Sequence, residues 1–219
     1  MAIQIKAGAS LAAACGLIAA SPAVAIAPCP GTYSASQAEI AAQLVLNADG
    51  TFRYGFSYGA LDEEAEGKWH LADERVVLET PNLVAPQFVA TDDEPLAENR
   101  LRVDLDVPRG ISRQYFTAAL TLRDGTVVGR QFAEDGLEVE EDPANRAVSL
   151  RVHLSVFDIW SADMPLSGAT GHLVRLRFVA NDLGKVAFSG TVLTEREGAL
   201  VLEQHDRTLA FRRVGRCQS

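Results

Sequence analysis

The chain is poor in the residue types that most often carry chemistry. Its 219 residues include three cysteines, four histidines, two methionines and two tryptophans. None of the histidines, His70, His153, His172 and His205, stands two or four positions from another His or Cys. Local metal-ligand spacing is therefore missing, and neither a metal nor a cofactor is expected. Basic residues are scarce as well: 20 Lys and Arg against 29 Asp and Glu give a net charge of −9. A surface of that sign repels nucleic acid and anionic lipid, which excludes both as partners. Past the first 25 residues no stretch is apolar enough to cross a bilayer, so no membrane span is expected. Helix signals are few. Only Ala35 to Ala42 and Ala60 to Ala65 could form a helical turn or two.

What is present begins with an address. Lys6 is followed by an Ala/Leu/Ile-rich stretch and by the small-x-small site Ala23-Val24-Ala25. That is the layout of a secretory signal peptide spanning 1–25, with cleavage near Ala25 and a mature start near Ile26. The protein is expected to be periplasmic or secreted. Removal of Lys6 makes the mature chain one charge more negative.

Cleavage also removes Cys15 and leaves Cys29 near the new N-terminus and Cys217 near the C-terminus. An even pair in an oxidising compartment reads as a disulfide, closing nearly the whole chain. The chain-entropy model credits such a loop with about 5 kcal/mol at most. A lipid-anchored cysteine is the alternative. Against it, Pro28 precedes Cys29, and Ala12-Ala13-Ala14-Cys15 lacks the usual leucine three positions earlier.

Strand signals dominate the rest. Leu44-Val45-Leu46 and Phe52-Arg53-Tyr54-Gly55-Phe56 flank Asn47-Ala48-Asp49-Gly50, a hairpin with Asp-Gly in its turn. Lys68 to Leu71 and Val76 to Leu78 flank a second polar turn. Leu101 to Val107 alternates apolar and charged residues, as a half-buried strand does. Ala119 to Leu122 and Val127 to Arg130 enclose Asp124-Gly125. Val148–Val156, Val174–Phe178, Val186–Phe188, Leu200–Leu202 and Leu209–Phe211 complete the series. Short strands at turn-punctuated spacing predict an all-β chain, a barrel or sandwich.

Two stretches look like breaks. Thr80 to Asn99 holds Pro81, Pro86, Pro95 and the run Asp92-Asp93-Glu94, suiting an exposed crossing. Ser161 to Gly171, with Pro165 and two glycines, suits the return. The chain then divides into 26–99, an inserted unit at 100–160, and 161–219. The segments Leu44–Leu78 and Arg175–Phe211 share a faint order of strands and turns, which also arises whenever hairpins follow one another.

Gly31-Thr32-Tyr33, Leu-x-Leu-x-x-Asp-Gly-x-Phe at 44–52, Gly67-Lys68-Trp69 and Val76-Val77-Leu78 resemble bacterial lipocalin-like secreted domains. The likeness covers about fifty residues and implies a meander of antiparallel strands closed into a small barrel. Val103 to Gly136, with Asp124-Gly125 and Asp135-Gly136, resembles carboxypeptidase-regulatory, transthyretin-like sandwiches. Together they imply a proteobacterial envelope protein in which a small β-sandwich interrupts a barrel. A barrel of that kind implies at most a cup for an apolar molecule, and a fold alone carries no function.

Three constellations bear on function. Gly55-Phe56-Ser57-Tyr58-Gly59 fits G-x-S-x-G, which serves as a nucleophile elbow only on a sharp strand-to-helix turn. The following Ala60–Gly67 is too short and acidic for that helix, and the partners would have to be Asp158 or Asp182 with His205. The acidic runs 62–66, 92–94 and 138–142 lack an EF-hand layout and read as solvated charge; calcium at 134–142 is the least implausible exception. Phe52, Tyr54, Phe56 and Tyr58 share a parity, so they lie on one face of a strand, with Trp69 on its neighbour. That face is either barrel core or cavity lining; in the second case Tyr54, Phe56, Tyr58 and Trp69 are the ligand-binding candidates. The leading expectation is a non-enzymatic binding or interaction module of the bacterial cell envelope, its partner a small apolar ligand or an envelope protein. The rivals are a serine hydrolase using Ser57 and a purely structural protein-interaction domain.

Overall fold

The computed structural model describes residues 28–167 and 169–217; the expected signal peptide at 1–25, with Cys15, lies outside the described residues. Five strands open the chain: β1 (Gly31–Gln37), β2 (Ile40–Leu46), β3 (Thr51–Tyr58), β4 (Leu61–Ala72) and β5 (Arg75–Glu79). Nine follow in the insertion: β6 (Gln87–Leu96), β7 (Arg100–Asp106), β8 (Phe116–Leu122), β9 (Val127–Gln131), β10 (Leu137–Glu140), β11 (Ala147–Leu154), β12 (Ile159–Trp160), β13 (Met164–Pro165) and β14 (Gly171–Val179). Three end it: β15 (Ser189–Arg196), β16 (Ala199–Gln204) and β17 (Arg207–Val214).

β1–β5 and β15–β17 form a closed, antiparallel, eight-stranded barrel in which neighbours in space are neighbours in sequence, apart from the β5–β15 and β1–β17 joins. Alternation decides which side chains enter it. In β2, Ile40, Ala42, Leu44 and Leu46 are buried while Ala41 and Gln43 are exposed, the period-2 pattern of a strand with one wet face. The same pattern in β3 and β17 sends Phe52, Tyr54, Phe56, Leu209 and Phe211 inward. With Phe188 they fill the barrel: its ring lies 5.8 Å from Phe52 and 5.3 Å from Tyr54.

The turns follow from the strand twist. Asp73-Glu74, Glu197-Gly198 and His205-Asp206 all take positive φ, as two-residue hairpin turns require. The segments weighed as helix are strands: 35–42 is the β1–β2 hairpin and 60–65 begins β4. Burial alternates along the β2 and β4 ends of these segments, Ser36 to Glu39 at the hairpin turn are all exposed, and no helical face exists to pack.

The insertion is wider than 100–160. β6 and β14, placed by sequence in the flanking segments, belong to a sheet of order β10-β7-β14-β6. It shares one apolar core with a second sheet of order β12-β11-β8-β9, to which β13 adds. β6 is exposed along most of its length, which is why its charges and prolines read as a crossing. It is an edge strand, where Pro95 is tolerated. The proposed return at 161–171 contains β13 and the start of β14. Arg175–Phe178 therefore sits in the sandwich, so the faint repeat has no counterpart in the barrel.

Val186–Phe188, expected as a strand, is the irregular point of re-entry. Val186 N–H donates to Glu64 O and Glu64 N–H to Gly184 O, each at 2.8 Å. Phe188 N–H donates to Thr80 Oγ1 at 3.0 Å and Thr80 N–H to Phe188 O at 2.8 Å. The Glu64 bonds serve the half of β4 that the five-residue β5 is too short to cover, and the Thr80 bonds continue the β5–β15 pairing past the end of β5.

Cys29 and Cys217, 188 positions apart in sequence, form the disulfide, with Cα atoms 6.3 Å apart. It lies beside the β1–β17 seam that closes the barrel. Replacing both cysteines by serine should lower unfolding free energy by about 2–5 kcal/mol. Urea titration checks this, and unchanged stability would show that the seam holds without the bond. Gly67 marks the tightest crossing: a Cβ there would stand 2.0 Å from Glu79 O and 2.8 Å from the Phe52 ring. Gly67→Ala should destabilise by at least ~1–3 kcal/mol, as overpacked cores do. A midpoint matching wild type in the same titration would refute the close packing.

Candidate functional site

The turns β1–β2, β3–β4 and β16–β17 gather at the barrel end opposite the disulfide, and there inward-facing positions become polar. On β4 the inward parity of Leu61, Ala65 and Trp69 also takes in Glu63, and on β16 that of Leu200 and Leu202 takes in Gln204. Tyr54 Oη donates to Gln204 Oε1 at 2.7 Å, and Gln204 Nε2 donates to Glu63 Oε2 at 3.1 Å. The same oxygen lies 2.6 Å from His205 Nε2. A carboxylate can only accept, so His205 Nε2 carries the proton. The Glu63 side chain is only 13% exposed and that of His205 is 40% exposed, so the imidazole covers the carboxylate from solvent.

His205 reaches this position from a left-handed turn, at φ 52°, and its ring packs 5.5 Å from Phe56. Outside it Arg207 lies 4.5 Å above the Tyr58 ring. Phe56, Tyr58, Leu61, His205 and Arg207, with Val156 from the insertion, line a half-open cavity of about 380 Å³. Of the hydrogen-bonded row, His205 alone lines it. Burial pushes the Tyr54 phenol well above its ordinary value, and the negative Glu63 adds to that, against the opposing bond from Gln204.

Of the four ligand-binding candidates, Tyr54 and Phe56 are buried and Tyr58 lies at the cavity rim. Trp69 lies at the other end, where Nε1 donates to Asn47 O at 2.9 Å and the ring packs on the core. Phe52, Tyr54 and Phe56 are core, and only the end of their face opens to solvent.

Ser57 is exposed on the outer wall, followed by a hairpin turn rather than a helix. Its proposed partners are engaged elsewhere. Asp158 accepts from His153 at 2.9 Å and Trp160 Nε1 at 3.2 Å, and Asp182 accepts from Val84 N–H at 2.8 Å. Among the described residues, Ser57 has no side-chain hydrogen bond. The carboxylates of 134–142 are likewise bound separately: Glu134 to Ser112, Glu138 to Arg100, Glu141 to Ala147 N–H and Asp142 to Ala144 N–H. Sequence reasoning missed Glu63, Gln204 and Arg207. The available signal was parity, which places Glu63 on the apolar face of β4.

No family model, curated protein or solved structure matches the chain.

The buried phenol links stability to alkaline pH. Its raised value means that the folded state keeps a proton that the unfolded chain releases above about pH 10. The contribution of Tyr54 is whole below that pH and falls as pH rises toward the folded value. Thermal melts at pH 8 and 11 should show a smaller alkaline loss for Tyr54→Phe than for wild type. Equal losses would mean that the phenol is not shielded.

Proposed function

We propose that the barrel is a non-enzymatic binding module of the bacterial cell envelope that takes a small, largely apolar ligand at the cavity beside His205. The observation that carries this reading is where the open space lies. Aromatic rings fill the barrel interior, whereas the cavity of about 380 Å³ at its mouth is walled by Phe56, Tyr58 and Leu61. Small-molecule sites combine such apolar walls with a few placed polar groups. Here Arg207 and His205 supply those, and an anionic end on the ligand suits the guanidinium. The Cys29–Cys217 bond supports an oxidising compartment outside the cytoplasm, as the leader-like N-terminus does.

A protein partner is the second reading. Residues of β1–β4, among them outward Ser34, Ala41, Gly55 and Ser57, line a second groove of about 800 Å³, with Leu183 and Gly184 of the insertion. Small side chains there leave room for another chain to approach.

Native mass spectrometry of protein purified gently from the periplasm tests the first reading. It should reveal an excess mass that leaves on denaturation and is absent from an Arg207→Ala, Tyr58→Ala variant, whose replaced side chains are exposed. A bare mass for wild type, or the same adduct on both proteins, would reject the mouth as the ligand site.

A further inference from the structure

A second cluster of titratable groups lies in the sandwich, outside the barrel mouth. His172, near the start of β14, is only 5% exposed. Its Nδ1 lies 2.7 Å from Asp93 Oδ1, and its Nε2 lies 2.8 Å from Ser167 Oγ. The strands create the first contact. Antiparallel register sets Val174 opposite Asp93 and His172 opposite Pro95, so the histidine and aspartate are diagonal neighbours within reach of long side chains. The second contact comes from the loop between β13 and β14, which carries Ser167 back over the ring.

The tautomer follows from the partners. The carboxylate of Asp93 can only accept, so Nδ1 holds the proton and the Nε2 lone pair accepts the Ser167 hydroxyl proton. That is the polarity nucleophilic catalysis needs: a serine on the free nitrogen and an acid that orients the ring from the other side. The base is buried, but Ser167 is exposed and reachable.

The surroundings fix this row. A Cβ on Gly171 would stand 2.2 Å from Glu98 O and 2.3 Å from Arg100 O, so the backbone beside His172 is wedged into the β6–β7 turn. Ala169 N–H donates to Ser167 Oγ at 3.3 Å. The guanidinium of Arg146, 8% exposed, bonds Ala169 O and Asn99 Oδ1, while its Nε has no partner among the described residues. A buried and incompletely paired cation thus sits against the loop that carries the serine. Of the other His–carboxylate pairs, His153 bonds Asp158 at 2.9 Å but meets Ser155 only at 3.4 Å, and His205 meets no serine among the described residues.

We propose that Ser167, His172 and Asp93 form an acyl-transfer site for small esters. Ser167 Oγ bonds to the acyl carbon as its proton passes to His172 Nε2. That proton then leaves with the departing alkoxide as the alcohol. Water repeats the sequence at the acyl-serine, releasing the acid and restoring the hydroxyl. Ser167 and His172 are catalytic residues, and Asp93 is a positioning residue acting through the ring.

The test uses the full secreted chain with a fluorophosphonate probe, which phosphonylates an activated serine and expels fluoride with the hydroxyl proton. Wild type should be labelled once, at Ser167 by peptide mass mapping, and Ser167→Ala should lose the label. With p-nitrophenyl acetate, Asp93→Asn should lower kcat by about 10²–10⁴-fold at unchanged KM, and Asp93→Glu should restore much of it. Both positions are exposed, and a thermal melt of each variant checks that the fold around buried His172 is kept. No label on wild type, a label at any other serine including Ser57, or equal labelling of wild type and Ser167→Ala would overturn the proposal. So would an Asp93→Asn variant with unchanged kcat.

Discussion

Closure of the barrel is the constraint on which the rest depends. A sheet edge leaves backbone donors and acceptors unpaired, and a closed sheet removes the edge only if every strand finds two neighbours. This chain leaves its barrel after β5 and returns only at β15, so closure must survive a long excursion. It does so by direct β5–β15 pairing and by lending Gly184 and Val186 to the bare half of β4 through Glu64. The stem of the insertion is therefore part of the barrel wall, and Phe188, at its foot, is part of the barrel core.

The disulfide and the aromatic core act on the same constraint from two sides. Joining β1 to β17 brings together residues from opposite ends of the chain, the costliest loop closure in the molecule. Cys29–Cys217 makes that encounter permanent, with Tyr33 Oη donating to Cys29 O at 2.6 Å beneath it. The interior is then filled by rings whose edges meet faces, as at Tyr54 and Phe188, with planes 84° apart. A barrel packed in this way has no room for a ligand within its waist.

Legibility followed the range of each interaction. The hairpins around Asp49-Gly50 and Asp124-Gly125 are local, and their turn chemistry stands in the sequence. Parity along β3 is local too, and it groups Phe52, Tyr54 and Phe56 without reference to any pairing. The β6–β14 pairing spans some eighty residues, and the parallel β7–β14 pairing has no local signal at all. An edge strand bearing Asp92, Asp93, Glu94 and Pro95 is chemically like a loop, so the sequence alone marks too short an insertion. The contact of Asp93 with His172 was hidden for the same reason: it exists only once that edge strand has its register.

The polar groups of both proposed sites stand where regular structure ends. Inside the barrel a carboxylate such as Glu63 is tolerable only near the mouth, where Gln204, Tyr54 and His205 can answer it. In the sandwich, buried His172 is tolerable because an edge-strand carboxylate and a loop hydroxyl meet both of its nitrogens. Each arrangement borrows from the other body or from the edge: Val156 of the insertion completes the wall beside Phe56 and Leu61. The barrel without its insertion would have an open β4 and an incomplete mouth. The two units are therefore one structure in the physical sense that the closure of the first is finished by the stem of the second.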